Sequence, residues 1–158
     1  MWQRKQSFFL LLAGLACLST WLFPVRTFDW GGKDNVTFMT RGIFDDEGVE
    51  VTDASLSTPY HILFSVLGGV FLVAIALFKN RPRQVRVVRS AWLVMLAVGV
   101  LQFIAGNSLK AYLERSGEVH SIYGISFFLP LLIIVLAFLA ERAIRADEDL
   151  VKSMDRLR

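Results

Sequence analysis

The chain has 158 residues, 54% of them hydrophobic, with a mean hydropathy of +0.51; these values exclude an ordinary soluble domain and indicate a polytopic membrane class. A single cysteine, Cys17, excludes an internal disulfide and a cysteine-rich metal site. The net charge of +3 sits on basic residues that flank apolar runs, so membrane threading accounts for it and no nucleic-acid partner is expected.

The first predicted element is an apolar helix over residues 7–24, preceded by Arg4 and Lys5 and closed by Pro24. A basic start and the small residues Gly14 and Ala16 before Cys17 also fit a cleaved secretory or lipoprotein signal. Two features favour an uncleaved helix. A lipoprotein box prefers a large aliphatic residue where Gly14 stands, and the apolar run continues through Trp21, Leu22 and Phe23 beyond the cleavage point.

Residues 25–58 form the one long polar segment, an outer loop. Asn35 to Thr40 and Val49 to Thr52 alternate polar and apolar residues around the turn residues Asp45-Asp46-Glu47-Gly48, which predicts a small β-hairpin. The acidic turn lacks the alternating ligand spacing of a calcium loop, and Asn35-Val36-Thr37 matches a glycosylation triplet that is common by chance.

The second span is read over residues 59–78, with Ser65, Gly69 and Ala76 on one face. Small residues at this spacing allow helices in lipid to approach closely. A basic connection from Lys79 to Arg89 leads to the third span, 90–109, whose stripe holds Ala91, Gly99, Gln102 and Gly106, with Asn107 as its other amide. The fourth span covers 121–140, twenty uncharged residues that rise about 30 Å as a helix, the thickness of a bilayer's hydrocarbon core. Pro130 in its middle should kink it.

Ten of the next eighteen residues are charged, and this tail, 141–158, reads as a cytoplasmic helix. Ala143, Ala146, Leu150, Met154 and Leu157 form a stripe on it, and Glu141–Arg145 and Glu148–Lys152 are i,i+4 pairs with the acid first. The stripe suits either packing beneath the bundle or docking of a partner. With the amino terminus inside, twelve Lys and Arg residues fall on cytoplasmic segments and five on outer ones, which places both termini in the cytoplasm.

Chemistry is thinly encoded. His61 and His120, near the outer face, could ligate a haem iron, but they are the only two histidines and more simply are interfacial side chains. Gln102 and Asn107 could line a substrate path, although amides in a membrane usually hydrogen-bond between helices. No span carries an ionisable relay, and no phosphate loop, zinc spacing or nucleophile triad is present.

Several stretches carry a family resemblance. These are Met1-Trp2-Gln3-Arg4-Lys5-Gln6 running into Leu10-Leu11-Leu12-Ala13, the connection Arg83-Gln84-Val85-Arg86, and the closing run Leu139 to Glu148 with Asp155-Arg156-Leu157-Arg158. Together they resemble the domain of unknown function 4293 family, small inner-membrane proteins of Bacteroidota. The resemblance implies four helices and a bacterial inner membrane, and lends no activity.

The expected fold is an all-α membrane protein: a four-transmembrane-helix bundle with a small β-hairpin in its first outer loop and a cytoplasmic C-terminal helix. The expected function is non-catalytic, without cofactor or metal. The leading expectation is a scaffold or accessory subunit among other inner-membrane proteins, docking through Ala143, Leu150, Met154 and Leu157. The alternative is a small-molecule or lipid binder with a polar cleft near Ser65, Gly69, Gly99, Gln102, Gly106 and Asn107.

Overall fold

The computed structural model describes residues 3–29, 35–51 and 59–155. In chain order the elements are α1 (Gln3–Ser19), β1 (Arg26–Asp29), β2 (Val36–Met39), β3 (Gly42–Phe44), α2 (Tyr60–Ala76), α3 (Arg81–Leu113), β4 (His120–Tyr123) and α4 (Ile125–Asp155). Each helix buries residues three or four apart: Leu10, Ala13 and Cys17 on α1, and Phe64, Leu67, Phe71 and Ala74 on α2. On α3 they are Val88, Ala91, Met95 and Val98, and on α4 Ile133, Ala137, Ala140 and Ile144. Helix α1 packs on α2 and α4, and α3 packs on the same two, so the four close into a ring.

The other faces of these helices are also apolar. Leu22, Val73 and Leu131 are 76%, 63% and 62% exposed, and they belong to a belt of similar side chains around the bundle. A water-soluble protein does not expose so continuous an apolar surface. Tyr60–Lys79, Arg81–Leu113 and Ile125–Val151 are each long and apolar enough to cross a membrane, with mean hydropathies of 2.4, 2.0 and 2.3.

Helix α1 is shorter than the 7–24 expected. After Ser19 the backbone tightens into i→i+3 bonds that run to Leu22, and the Ser19 and Thr20 hydroxyls donate to the carbonyls of Ala16 and Cys17. Such side-chain bonds compete with continued helix. The basic stretch 79–89 is not a loop. Pro82 lies in the first turn of α3, where its missing N–H costs nothing, and no breaker follows it. The result is a helix of 33 residues, about 50 Å long, paired with the 31 residues of α4, about 46 Å.

Beside the helices lies a four-stranded antiparallel sheet in the order β3-β2-β1-β4, larger than the hairpin expected. The Asp45–Gly48 turn forms as predicted: Asp45 Oδ1 accepts from the Glu47 and Val49 amides, and Gly48 has φ +76°. Residues 49–51 fold back on Ile43 and Phe44, however, because β3 intervenes after a first turn at Thr40-Arg41. Thr52 and the remaining outer-loop positions up to 58, together with Trp30 to Asp34, lie outside the described residues. Strand β4 replaces the first residues of the expected fourth span. It pairs with β1, Arg26 opposite Tyr123 and Asp29 opposite His120.

Hydrogen bonds place the sheet at the end where α1 and α3 finish and α2 and α4 begin. The Thr20 carbonyl accepts both the Thr40 and Ser126 hydroxyls. The Val25 amide donates to Phe38 O, Gly124 N to Val25 O, Ser126 N to Pro24 O, and His61 N to Thr40 O. A Cβ on Gly124 would run into the Pro24 carbonyl. At the crossing of α1 and α2, a Cβ on Gly68 would lie 3.0 Å from Cys17 Cβ, whereas one on Gly69 would meet nothing within 4 Å.

These contacts predict that Gly124→Ala destabilises the protein by about 1–3 kcal/mol or more through overpacking at a backbone contact. Gly69→Ala is expected to leave stability unchanged or slightly raised. Thermal unfolding midpoints of the two variants in detergent check the contrast.

Candidate functional site

Gln6, His61 and Gln84 each bury one polar atom without a partner, but the two places where unusual polar groups gather are the sheet end of α3 and α4 and the opposite end. At the sheet end, Arg26 and Phe28 face inward from β1 because strand side chains alternate, while Thr27 and Asp29 face the other way. Arg26 is only 5% exposed. Its Nη1 donates to Asn107 Oδ1 at 3.0 Å and its Nη2 to Ser121 Oγ at 2.7 Å. The guanidinium also lies 4.5 Å from the Tyr123 ring centre and 5.2 Å from that of Phe28.

All of these partners are neutral, and Arg26 Nε is buried without an acceptor. Among the described residues no carboxylate reaches the group. Glu114 is held by Lys110 at 3.2 Å. An arginine this deeply buried is ordinarily paired with an acid, since guanidinium does not deprotonate.

One helical turn back from Gly106 and Asn107 on α3 stands Gln102, 2% exposed, with neither its amide nitrogen nor its amide oxygen partnered. It is the one amide among the described residues with both polar atoms buried and unmet. It lines a cavity of about 370 Å³ between α3 and α4, whose walls include Gly99, Val100, Phe103, Phe127 and Pro130. Gly99 keeps the walls close without filling the space, since a Cβ there would meet only Pro130, at 3.4 Å. Helix α4 runs through Pro130 unbroken. Tyr60 binds the same stretch of α3 from the other side, its hydroxyl donating to Leu101 O at 3.0 Å.

The expected cleft residues therefore divide. Gly99 and Gln102 line the cavity, and Gly106 and Asn107 abut Arg26 just beyond it. Ser65 lies elsewhere, accepting from Trp21 Nε1 at 3.1 Å and donating to His61 O. Gly69 faces open space and is exposed. The histidines have separate settings: the His61 ring stands edge-on to Trp21 at 5.6 Å, and His120 lies opposite Asp29 on β4.

At the far end the organising group is Glu141, 6% exposed. Its Oε1 accepts from Arg89 at 2.6 Å and from Arg145 at 2.7 Å, and its Oε2 accepts from Trp92 Nε1 at 2.8 Å. The expected Glu141–Arg145 pair is thus one arm of a four-residue cluster, and the Lys152 side chain of the second expected pair lies outside the described side chains. Arg81 adds a bond to Asp147 O at 2.8 Å. The packed face of the tail runs through Glu141, Ile144 and Asp147, while Ala146 and Leu150 point outward and Ala143 is half-buried. Met154 falls within α4, and Leu157 lies outside the described residues.

Reading the sequence alone passes over Arg26 and the Arg89–Trp92–Glu141 cluster. The alternation of Arg26 with Phe28 was the available signal for the first. For the second there was only the absence of any helix breaker between Pro82 and Trp92.

An unmet buried amide and a met buried carboxylate should respond oppositely to removal. Gln102→Leu is expected to stabilise the protein by about 1–3 kcal/mol. Glu141→Ala is expected to destabilise it by about 1.5–3 kcal/mol, at the modest end because both arginines are half exposed. Thermal or denaturant unfolding in one detergent checks both signs.

No curated protein and no solved structure matches the chain. A family model does match, over residues 2–157, under the description "Domain of unknown function (DUF4293)". The match takes in the buried arginine, the cleft and the charged end alike, and the chain belongs to that family.

Proposed function

We propose that this chain is a non-catalytic multi-pass membrane protein that binds a lipid-like small molecule in the cleft between α3 and α4. The observation that carries the reading is Gln102. Gln102 forms part of the wall of an apolar cavity of about 370 Å³, and its amide nitrogen and oxygen, buried and unpartnered behind that wall, can be turned toward whatever fills the space as one donor and one acceptor. Ligand sites of this kind are mostly apolar with a few placed polar groups.

In this reading α1 is retained as a fourth membrane helix, because Leu10, Ala13 and Cys17 belong to the shared core. The sheet lies outside and both termini lie in the cytoplasm of a bacterial inner membrane. The charge distribution supports that orientation: Lys79, Arg81, Arg83, Arg86, Arg89, Arg142 and Arg145 gather at the end away from the sheet. A second reading, a scaffold or accessory subunit of a membrane complex, draws on the outward-facing Ala146 and Leu150 of the tail. The unmet amide makes the first reading the stronger.

Native mass spectrometry of protein extracted in mild detergent tests the binding. A small-molecule adduct is expected on the wild type and should fall at least about tenfold in Val100→Trp, which plugs the cleft from its exposed rim. Equal adducts on both would overturn the reading. For orientation, Arg83→Cys and Glu118→Cys are exposed positions that should react with an impermeant thiol reagent from opposite sides, while buried Cys17 stays silent. Reaction of both from the same side would refute the threading.

A further inference from the structure

The cavity and the buried arginine are neighbours, and that juxtaposition narrows the chemistry of the ligand. Gln102 and Gly106 are one turn apart on α3, about 6 Å along its axis. A Cβ placed on Gly106 would lie 3.9 Å from Arg26 Nη1. On the α4 side, Phe127 lines the cleft and its ring centre lies 4.5 Å from that of Tyr123, which in turn lies 4.5 Å from the guanidinium carbon of Arg26. The cleft therefore ends at the Phe127 ring, with the Tyr123 ring behind it and the cation behind Tyr123. Tyr123 is 42% exposed, so its ring has solvent-side room to swing.

Among the described residues the cation lacks its natural complement. Asn107, Ser121 and two aromatic rings face it, every one of them neutral, and its Nε is unmet. Asp29 lies on the opposite face of β1, and Glu114 is engaged by Lys110. A guanidinium held in low dielectric by neutral partners is preorganised for an oxyanion, to which it would make charge-assisted and bidentate bonds.

We infer that the ligand is an anionic amphiphile: its apolar chain lies in the α3–α4 cleft beside Gln102, and its carboxylate or phosphate head passes the Phe127 ring and displaces that of Tyr123 to seat on Arg26. The inference rests on the cleft reading above and adds to it the sign and position of the head group. Asn107 and Ser121 position Arg26 by accepting one N–H each from Nη1 and Nη2, which leaves Nε–H and the second N–H of each Nη, all in the guanidinium plane, for the oxyanion.

The test compares a long-chain fatty acid with the alcohol of the same chain length, each binding to the purified full chain in a non-ionic detergent, at a pH where the acid is ionised. The acid is expected to bind at least about tenfold more tightly than the alcohol. Arg26→Gln should reduce the acid to the affinity of the alcohol while leaving the alcohol unchanged. Should Arg26→Gln fail to fold, Tyr123→Ala replaces it, with the preference for acid expected to persist or increase. Acetate or inorganic phosphate at the same concentration is expected not to displace the acid. Equal binding of acid and alcohol to the wild type overturns the anionic head while leaving the cleft standing, and no binding of either overturns both. Displacement by acetate or phosphate assigns Arg26 to free anions and overturns the single amphiphile.

Discussion

The fold depends on a joint of backbone hydrogen bonds between residues 20 and 25. There the chain leaves α1, whose final carbonyls are taken up by the Ser19 and Thr20 hydroxyls, and passes through Pro24 into β1. Thr20 O receives hydroxyls from β2's end and α4's start, while Val25 bonds to β2 on one side and to Gly124 on the other. In an apolar surrounding a buried carbonyl or amide left unmet costs several kcal/mol, so this joint is what permits non-helical backbone so close to the apolar helices. It also sets the height at which β1 presents Arg26 to α3.

From that height the two polar regions take their character. At the sheet end, Arg26 is caught between Asn107, Ser121 and two rings, a cation without an acid among the described residues. At the other end, Glu141 is an acid with three donors. The contrast in saturation separates a group built to hold the fold from one with capacity left over. A satisfied carboxylate with two arginines and an indole has nothing further to offer a ligand. An unsatisfied guanidinium one turn from an unsatisfied amide has.

Much of the helical content was legible because lipid-compatible segments must be long, apolar and uncharged, and 60–79 and most of 90–109 and 125–140 meet that demand without ambiguity. The departures occur where that rule is silent. Residues 120–123 are uncharged and run into the fourth helix, so hydropathy could not distinguish β4 from helix; the flanking Gly117 and Gly124 were the only local marks of a break. Arg81 to Arg89 is charged, which excludes lipid but not helix. Periodicity in the tail indicated a stripe through Ala143, Ala146 and Leu150, yet the face that packs carries Glu141 and Asp147; Glu141 tolerates burial because two arginines and an indole donate to its carboxylate. Gln102 was legible as a polar residue in a span; that both polar atoms of its amide are buried without a partner is a property of three dimensions.

Helix α4 carries Phe127 and Pro130 at one end and the charged tail at the other with no interruption, and Glu141 pins it to α3 between them. Pro130 lies about 16 Å from the pin and Asp155 about 21 Å on the far side. Because α4 is one continuous helix packed along both α1 and α3, the charged tail and the wall of the cavity belong to a single structural element.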